Sequence, residues 1–313
     1  MSHPAASGAV HNSRPDTSGP SGVLNIDKPR GLTSHDVVAR VRRLTGQRRA
    51  GHAGTLDPLA TGVLPVVLGK ATRLVEYLSD AGKAYRATLI LGATTDTYDG
   101  EGTITPTPNA VMPSSEELEL ALKAFRGEIE QVPPMYSAVK VGGKKLYELA
   151  RKGAEMERAP RRVTISRLDL EAYNAPRVTL YVECSKGTYI RSLAHDLGAA
   201  LGTGAYLDAL VRTCHGPFNL DAAITLESLE ESAREGAWQR NLLPPESILE
   251  GWVSLRLDPR QAEAAAQGRP LQLPPPVPGS PLTMAASSQA GDLLAILYWD
   301  EENGSWRPKK VFT

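Results

Sequence analysis

The chain has 313 residues, 41% of them apolar, and its 35 basic and 35 acidic side chains leave no net charge. That length exceeds one ordinary core and predicts two domains. The 28 Gly and 24 Pro fall short of a low-complexity composition, and no apolar run is long enough to form a transmembrane helix.

The start, MSHPAASGAVHNSRPDTSGPSG, lacks the basic opening and apolar core of a signal peptide, so residues 1–21 read as a disordered tail. Residues 23–26, VLNI, predict a short strand stopped by Asp27, Lys28, Pro29 and Gly31. Thr33 or Ser34 then caps a helix with Val37, Val41 and Leu44 on one face and Arg40 and Arg43 on the other. AGHAGTLDPLATGVLPVVL follows at residues 50–68, where only His52 and Asp57 titrate and residues 63–68 predict a buried strand. A strand over 85–91 ends in the turn-rich TTDTYDGEG. Ser114 or Ser115 caps a helix through Leu118, Leu122 and Phe125, and the loop VPPMYSAVKVGGKK leads into a helix, LYELARKG. Strands over 163–170 and 178–184 precede a helix over 189–201. An acidic, helix-rich stretch near 221–250, with Pro244 and Pro245, suggests a boundary. Beyond it VSLRLD, LLAILYW and WRPKKVF, separated by PPPVPGSP, suit a small β-barrel or sandwich. Strands and helices alternate without a regular βαβ rhythm, so the larger domain reads as α+β with a mixed, mostly antiparallel sheet and flanking helices.

Cys184 and Cys214 stand far apart with no C-x-x-C spacing. This implies a reducing, cytoplasmic setting and no zinc site. Charge is unevenly distributed. Residues 28–49 hold seven Lys/Arg against Asp36, and residues 140–167 hold nine against Glu148, Glu155 and Glu157. Residues 221–250 hold seven acids against Arg234 and Arg240. A charge run is most often a solvated face. Two basic runs flanking one uncharged loop favour a phosphate-binding face and a nucleic-acid partner.

Asp57 before Pro58 is, on its own, a common turn or helix-start arrangement. Structural partners explain most such carboxylates. A glycine-flanked His52 is usually an exposed turn residue. No second carboxylate sits nearby to form a hydrolase pair, and Gly69-Lys70-Ala71-Thr72 lacks the phosphate-loop spacing.

GHAGTLDPLATGVLP, however, resembles the signature of the TruB family of tRNA pseudouridine synthases nearly residue for residue. KAYRATLILGATTDTYDGEG, VPPMYSAVKVGGKKLYELAR and CSKGTYIRSLAHDLG resemble further blocks of that family in the same order, together covering most of residues 22–220. One departure lies in GAYLDALVRTCHGPF, where the family shows two adjacent arginines and this chain has Val211 before Arg212. The C-terminal segment is similar to the PUA-type RNA-binding barrel. The resemblance implies a catalytic domain over residues 22–245 with a pseudouridine-synthase-like sheet, and a PUA-like barrel over 246–313. It also implies action without a guide RNA on the uridine at position 55 in the T loop of tRNA; a cytoplasmic monomer is expected.

That reaction breaks the N1–C1′ bond, turns the uracil and rejoins it through C5, with no net redox change or hydrolysis; no metal or cofactor is expected. By the family's pattern Asp57 is the nucleophile, Arg191 in GTYIRS is the cation that keeps it ionised, and Asp99 in TDTYDG holds Arg191. The target base must leave its stack to be reached. Tyr85 would lie against the flipped uracil, Tyr189 and Leu210 would form other walls of the pocket, and His52 would contact the substrate loop. Strand alternation alone would make Tyr85, Tyr189 and Leu210 ordinary core residues. Gly51 and Gly54 would permit close RNA approach. The rival readings are a non-catalytic tRNA-binding or RNA-folding protein that keeps the pocket, and a nucleoside hydrolase, which would need a second acid. Only a synthase releases tritium from C5-labelled uridine in tRNA.

Overall fold

A computed structural model of the protein describes residues 19–137, 139–141, 143–150, 153 and 156–312. Most of the expected N-terminal tail, together with Arg151 and Lys152 of the second basic run, lies outside them.

In chain order the elements are β1 (Gly22–Lys28), α1 (Ser34–Thr45), β2 (Ala50–His52), β3 (Thr61–Leu68), α2 (Val75–Ser79), β4 (Lys83–Leu91), β5 (Ala93–Thr95), β6 (Ile104–Pro106) and α3 (Ser115–Leu122). Then come β7 (Gly127–Gln131), β8 (Lys140–Val141), β9 (Lys144–Lys145), α4 (Leu146–Ala150), β10 (Arg161–Asn174), β11 (Arg177–Cys184), α5 (Ile190–Ala200) and β12 (Ala205–His215). The chain finishes with β13 (Phe218–Asn219), β14 (Ile224–Thr225), α6 (Leu226–Arg234), β15 (Ser254–Arg256), α7 (Pro259–Ala266), β16 (Thr283–Ser287), β17 (Leu293–Asp300) and β18 (Ser305–Val311).

The large sheet runs β14-β1-β3-β12-β4-β11-β10-β7, with β2 beside β3 and β13 beside β12. It is mostly antiparallel, parallel only at β14–β1 and β3–β12, which matches the mixed sheet expected from the sequence. Its centre is β12, joining β3 to β4.

Local chemistry explains the boundaries. Thr33 caps α1 in a capping box with Asp36, and Gly46 ends it in the left-handed region. Ser114 caps α3 in the same way through Glu117. β3 is almost continuously buried because both its faces are covered. One face joins Leu24, Ile26, Leu64, Val66 and Leu68 to Val37 and Val41 of α1, Leu193 of α5 and Leu229 of α6. The opposite face packs Val23, Val63 and Val67 against Leu74 and Leu78, and against Ile248, Leu249, Leu293 and Ile296. That second cluster seats a small C-terminal β domain on the back of the sheet. Its strand order is β15-β16-β17-β18, and α7 supplies Ala265 to a core of its own with Leu257, Leu297 and Trp306. The stretch after residue 221 stays with the large sheet through β14 and a Val23–Leu243 bridge. No helix among the described residues is long and apolar enough to cross a membrane.

Candidate active site

The loop between β2 and β3 is fastened from beneath. Lys28, wholly buried at the end of β1, donates from Nζ to the carbonyls of Ala60 at 2.6 Å, Pro29 at 3.0 Å and Pro58 at 3.4 Å. Burial lowers its ammonium to about 8, with Asp57 pulling the other way. The buried Ser34 hydroxyl accepts from Leu56 N–H at 2.9 Å, and Gly31 N–H donates to Pro58 O at 2.8 Å. A turn closed by Ala60 N–H on Asp57 O then projects the Asp57 side chain.

The basic-run reading needs a correction here. Lys28 is a buried brace, Arg40 is paired with Glu230 at 2.7 Å, and Arg42 donates to Ala50 O. Of that run, Arg30, Arg42, Arg43, Arg48 and Arg49 are exposed, although Arg49 also donates to Thr72, so the charged face survives without Lys28 and Arg40.

Asp57 is not a lone titratable group in space. Its Oδ2 lies 3.0 Å from Nη2 of Arg191, whose Nη1 lies 3.3 Å from Oδ2 of Asp99. The side chains of Arg191 and Asp99 are 6% and 5% exposed, that of Asp57 38%. The guanidinium is therefore out of water, while the carboxylate opens outward. Enclosure raises the Asp57 carboxyl above its ordinary value, and Arg191 opposes that rise. Arg191 also donates to Thr97 O at 3.2 Å and Tyr136 O at 2.8 Å, tying two loops to the start of α5. Asp99 is fixed in turn: its Oδ1 accepts from the Thr97 hydroxyl at 2.7 Å and Glu101 N–H at 3.1 Å.

Tyr85 sits on β4 opposite Arg212 of β12 and Val182 of β11. It is 7% exposed, in one apolar cluster with Leu56, Leu59 and Leu210. Leu210 pairs with Ala87 of β4. Tyr189 begins α5, its backbone locked to Gln131 by hydrogen bonds of 2.7 and 3.0 Å. Burial raises the hydroxyls of both tyrosines, and Asp57 contributes to each rise. His52 stands apart, on β2. Its ring meets that of the exposed His35 edge-on at 5.3 Å, and burial lowers it to about 4, so it is neutral at physiological pH.

Sequence reasoning missed the importance of two cations. Lys28 looked like surface charge, and nothing in its neighbourhood signals burial. Arg212, also wholly buried, donates from Nε to Val63 O at 2.7 Å and from Nη2 to Gly54 O at 3.0 Å, with Nη1 unpartnered. It thus pins the loop from the side of β12. Gly54 and Gly62 are required at this joint. Both have positive φ, and a Cβ on Gly62 would lie 2.3 Å from Arg212 O. At Gly54 a Cβ would lie 2.9 Å from the His215 ring and 3.3 Å from Arg212 Nη1, so the glycine lets the loop pack on these two side chains. Val211 pairs with Thr61 and Arg86.

The site thus presents an outward-facing carboxylate held by a desolvated arginine on a mixed sheet. Comparison with known proteins shows the family. Residues 42–190 match the TruB family pseudouridylate synthase N-terminal domain, and residues 191–250 match the tRNA pseudouridylate synthase B C-terminal domain. A relative from Dehalococcoides mccartyi named tRNA pseudouridine synthase B is 45% identical over 292 residues, 93% of this chain and 96% of its own. A relative of the same name from Symbiobacterium thermophilum is 52% identical over 250 residues, 79% and 82% of the two chains. Among solved structures, a chain of a Cbf5–Nop10–Gar1 complex superposes with a TM-score of 0.73 at 29% identity, covering 93% of this chain and 85% of that one. One from an H/ACA RNP bound to a substrate RNA containing 2′-deoxyuridine gives 0.71 at 27% identity, with the same coverage. The chain belongs to the TruB family of pseudouridylate synthases.

Proposed function

We propose that this enzyme isomerises uridine to pseudouridine at position 55 in the T loop of tRNA, without a guide RNA. The observation that carries the chemistry is the 3.0 Å contact between Asp57 and a buried Arg191 that is itself paired with Asp99. Asp57 is the nucleophile. The arginine keeps it ionised within the enclosure, and the braces from Lys28, Ser34 and Arg212 hold its loop still. The reacting uridine flips out of its stack, and Tyr85, Tyr189 and Leu210 receive the base. The N1–C1′ bond breaks, the base turns, and a C5–C1′ bond forms. The C5 hydrogen leaves as a proton and N1 gains one, so atoms and electrons balance. His52, neutral and beside His35, contacts the substrate loop.

Action on tRNA without a guide is supported by identities of 45% and 52% to relatives named tRNA pseudouridine synthase B, against 27% and 29% to chains of the H/ACA and Cbf5 complexes. Residues 22–245 form the catalytic domain, and residues 246–313 a PUA-like domain that binds RNA beyond the T stem-loop. The protein works as a monomer in the cytoplasm.

Tritium release from C5-labelled uridine in tRNA tests the reading. The expected result is one tritium released per tRNA, abolished when position 55 is cytidine. Binding without release would leave a non-catalytic tRNA-binding protein; release from the cytidine-55 transcript would assign a different site.

A further inference from the structure

The turn bearing Asp99 has a second clamp. Tyr98, just before it, is a non-glycine residue at φ +64, in the left-handed region that L side chains rarely adopt. Its ring stacks on His195 with centroids 3.9 Å apart and planes 11° from parallel. His195 follows Arg191 by four residues in α5, so the two side chains rise from the same helix face. One face of α5 therefore grips adjacent residues of one turn, Arg191 through the Asp99 carboxylate and His195 through the Tyr98 ring. On the β12 side the turn is held through backbone, where Leu207 N–H donates to Tyr98 O at 3.0 Å and Gly100 N–H to Leu207 O at 2.8 Å.

We infer that Tyr98 and His195 are positioning residues for the isomerisation: their stack holds the strained turn so that Asp99 presents Arg191 to Asp57. The inference rests on the function proposed above. A backbone conformation that costs energy persists only when its surroundings hold it; the aromatic pair holds the Tyr98 side chain itself, while the Thr95 and Thr97 hydroxyls bind the neighbouring Asp99. Without the stack the turn is no longer fixed: a side chain at position 98 relaxes toward ordinary φ, and a glycine there samples a wider range. Asp99 withdraws from Nη1, and Arg191 loses the partner that sets its direction.

The test compares Tyr98→Gly, Tyr98→Phe and His195→Ala in the full-length protein. Glycine tolerates positive φ, so Tyr98→Gly removes the stack and the strain together and should melt near the wild type. Two readouts are taken. The first, independent of catalysis, is amide exchange at Gly100, Glu101 and Gly102, all hydrogen-bonded in the turn. Exchange should quicken about tenfold or more in Tyr98→Gly and His195→Ala and stay at the wild-type rate in Tyr98→Phe. The second is tritium release, where the first two variants should lose roughly ten- to a hundredfold in kcat, with KM within about twofold, as expected when a reacting group is misaligned. Tyr98→Phe should restore the wild-type kcat. Unchanged exchange in Tyr98→Gly overturns the clamp, as does a Tyr98→Phe variant as impaired as Tyr98→Gly, which would put the role in the hydroxyl. A loss confined to KM would make the pair an RNA contact and also overturn it. If the wild type itself releases no tritium, the proposed reaction fails, while the exchange data still judge the clamp.

Discussion

Arg191→Gln isolates the cation at the centre of the site. Glutamine can still reach toward the Thr97 and Tyr136 carbonyls but leaves both carboxylates without a positive partner. Asp99 is 5% exposed, and its pairing with the 6%-exposed arginine is of the buried kind whose disruption costs about 3–5 kcal/mol. Asp57 adds less, because 38% of its side chain remains exposed and water screens it. The melting temperature should fall on the order of 10 °C. The fall should also depend on pH. Asp57 already lies above its ordinary 3.8, with Arg191 holding it down; without that guanidinium it lies higher still. A carboxyl raised in the folded state binds more protons folded than unfolded, so it subtracts stability as pH rises past its unfolded value. The variant's deficit should thus be larger at about pH 8 than at about pH 4.5, read by urea unfolding at both. Turnover should collapse with it, and any residual activity should begin its acid limb at higher pH than in the wild type. A deficit below about 1 kcal/mol, or one equal at the two pH values, would show that the arginine does not govern these carboxylates.

Asp57→Asn should abolish single-turnover pseudouridine formation while leaving tRNA affinity within a few-fold; product from a verified sample removes the nucleophile assignment. Tyr85→Ala should lose a stacking surface worth ~1–3 kcal/mol, whereas Tyr85→Phe keeps it; equal, wild-type rates for both would return Tyr85 to the core. Replacing the exposed Arg43 and Arg48 with Gln should flatten the slope of log K for tRNA against log salt by about 0.9 per lost phosphate contact, and an unchanged slope places them away from RNA. Deleting residues 246–313 should raise KM for full tRNA more than for a T-arm minihelix. It should also destabilise the remainder, because Val23, Val63 and Val67 lose Ile248, Leu249 and Ile296; a truncation as stable as the full chain contradicts that packing.

Much of the architecture was legible in local patterns. The caps of α1 and α3, the buried run of β3 and the β-rich end all follow from period, capping chemistry and turn residues. The central strand β12 was not. GAYLDALVRTCH carries Asp208, Arg212, Thr213 and His215 through a strand whose Arg212 and His215 are wholly buried, so its apolar alternation is broken where the sheet is most enclosed. The sequence predicts only residues 163–170 of β10, because its far end, after a bulge near Leu170, is largely exposed and polar. The site divides similarly. Asp57, Arg191 and Asp99 were reached through family motifs, and their contact is long-range geometry that spacing does not encode. Lys28 escaped because counting charge cannot distinguish an ammonium in water from one spent on three carbonyls.

Both ends of the described chain arrive at one short turn. Ser21, ahead of β1, accepts from Lys70 N–H at 2.9 Å, and Lys310 near the end of β18 donates to Arg73 O at 2.5 Å. The helical turn between β3 and α2, Gly69–Leu74, thus acts as a common clasp. A short flexible linker could join residues 21 and 311 and make a circular permutant, with new ends opened at the exposed Gly279. Such a permutant would keep the catalytic sheet and the small domain together even with the native ends fused, and would free the clasp's neighbourhood of tags when RNA binding is measured.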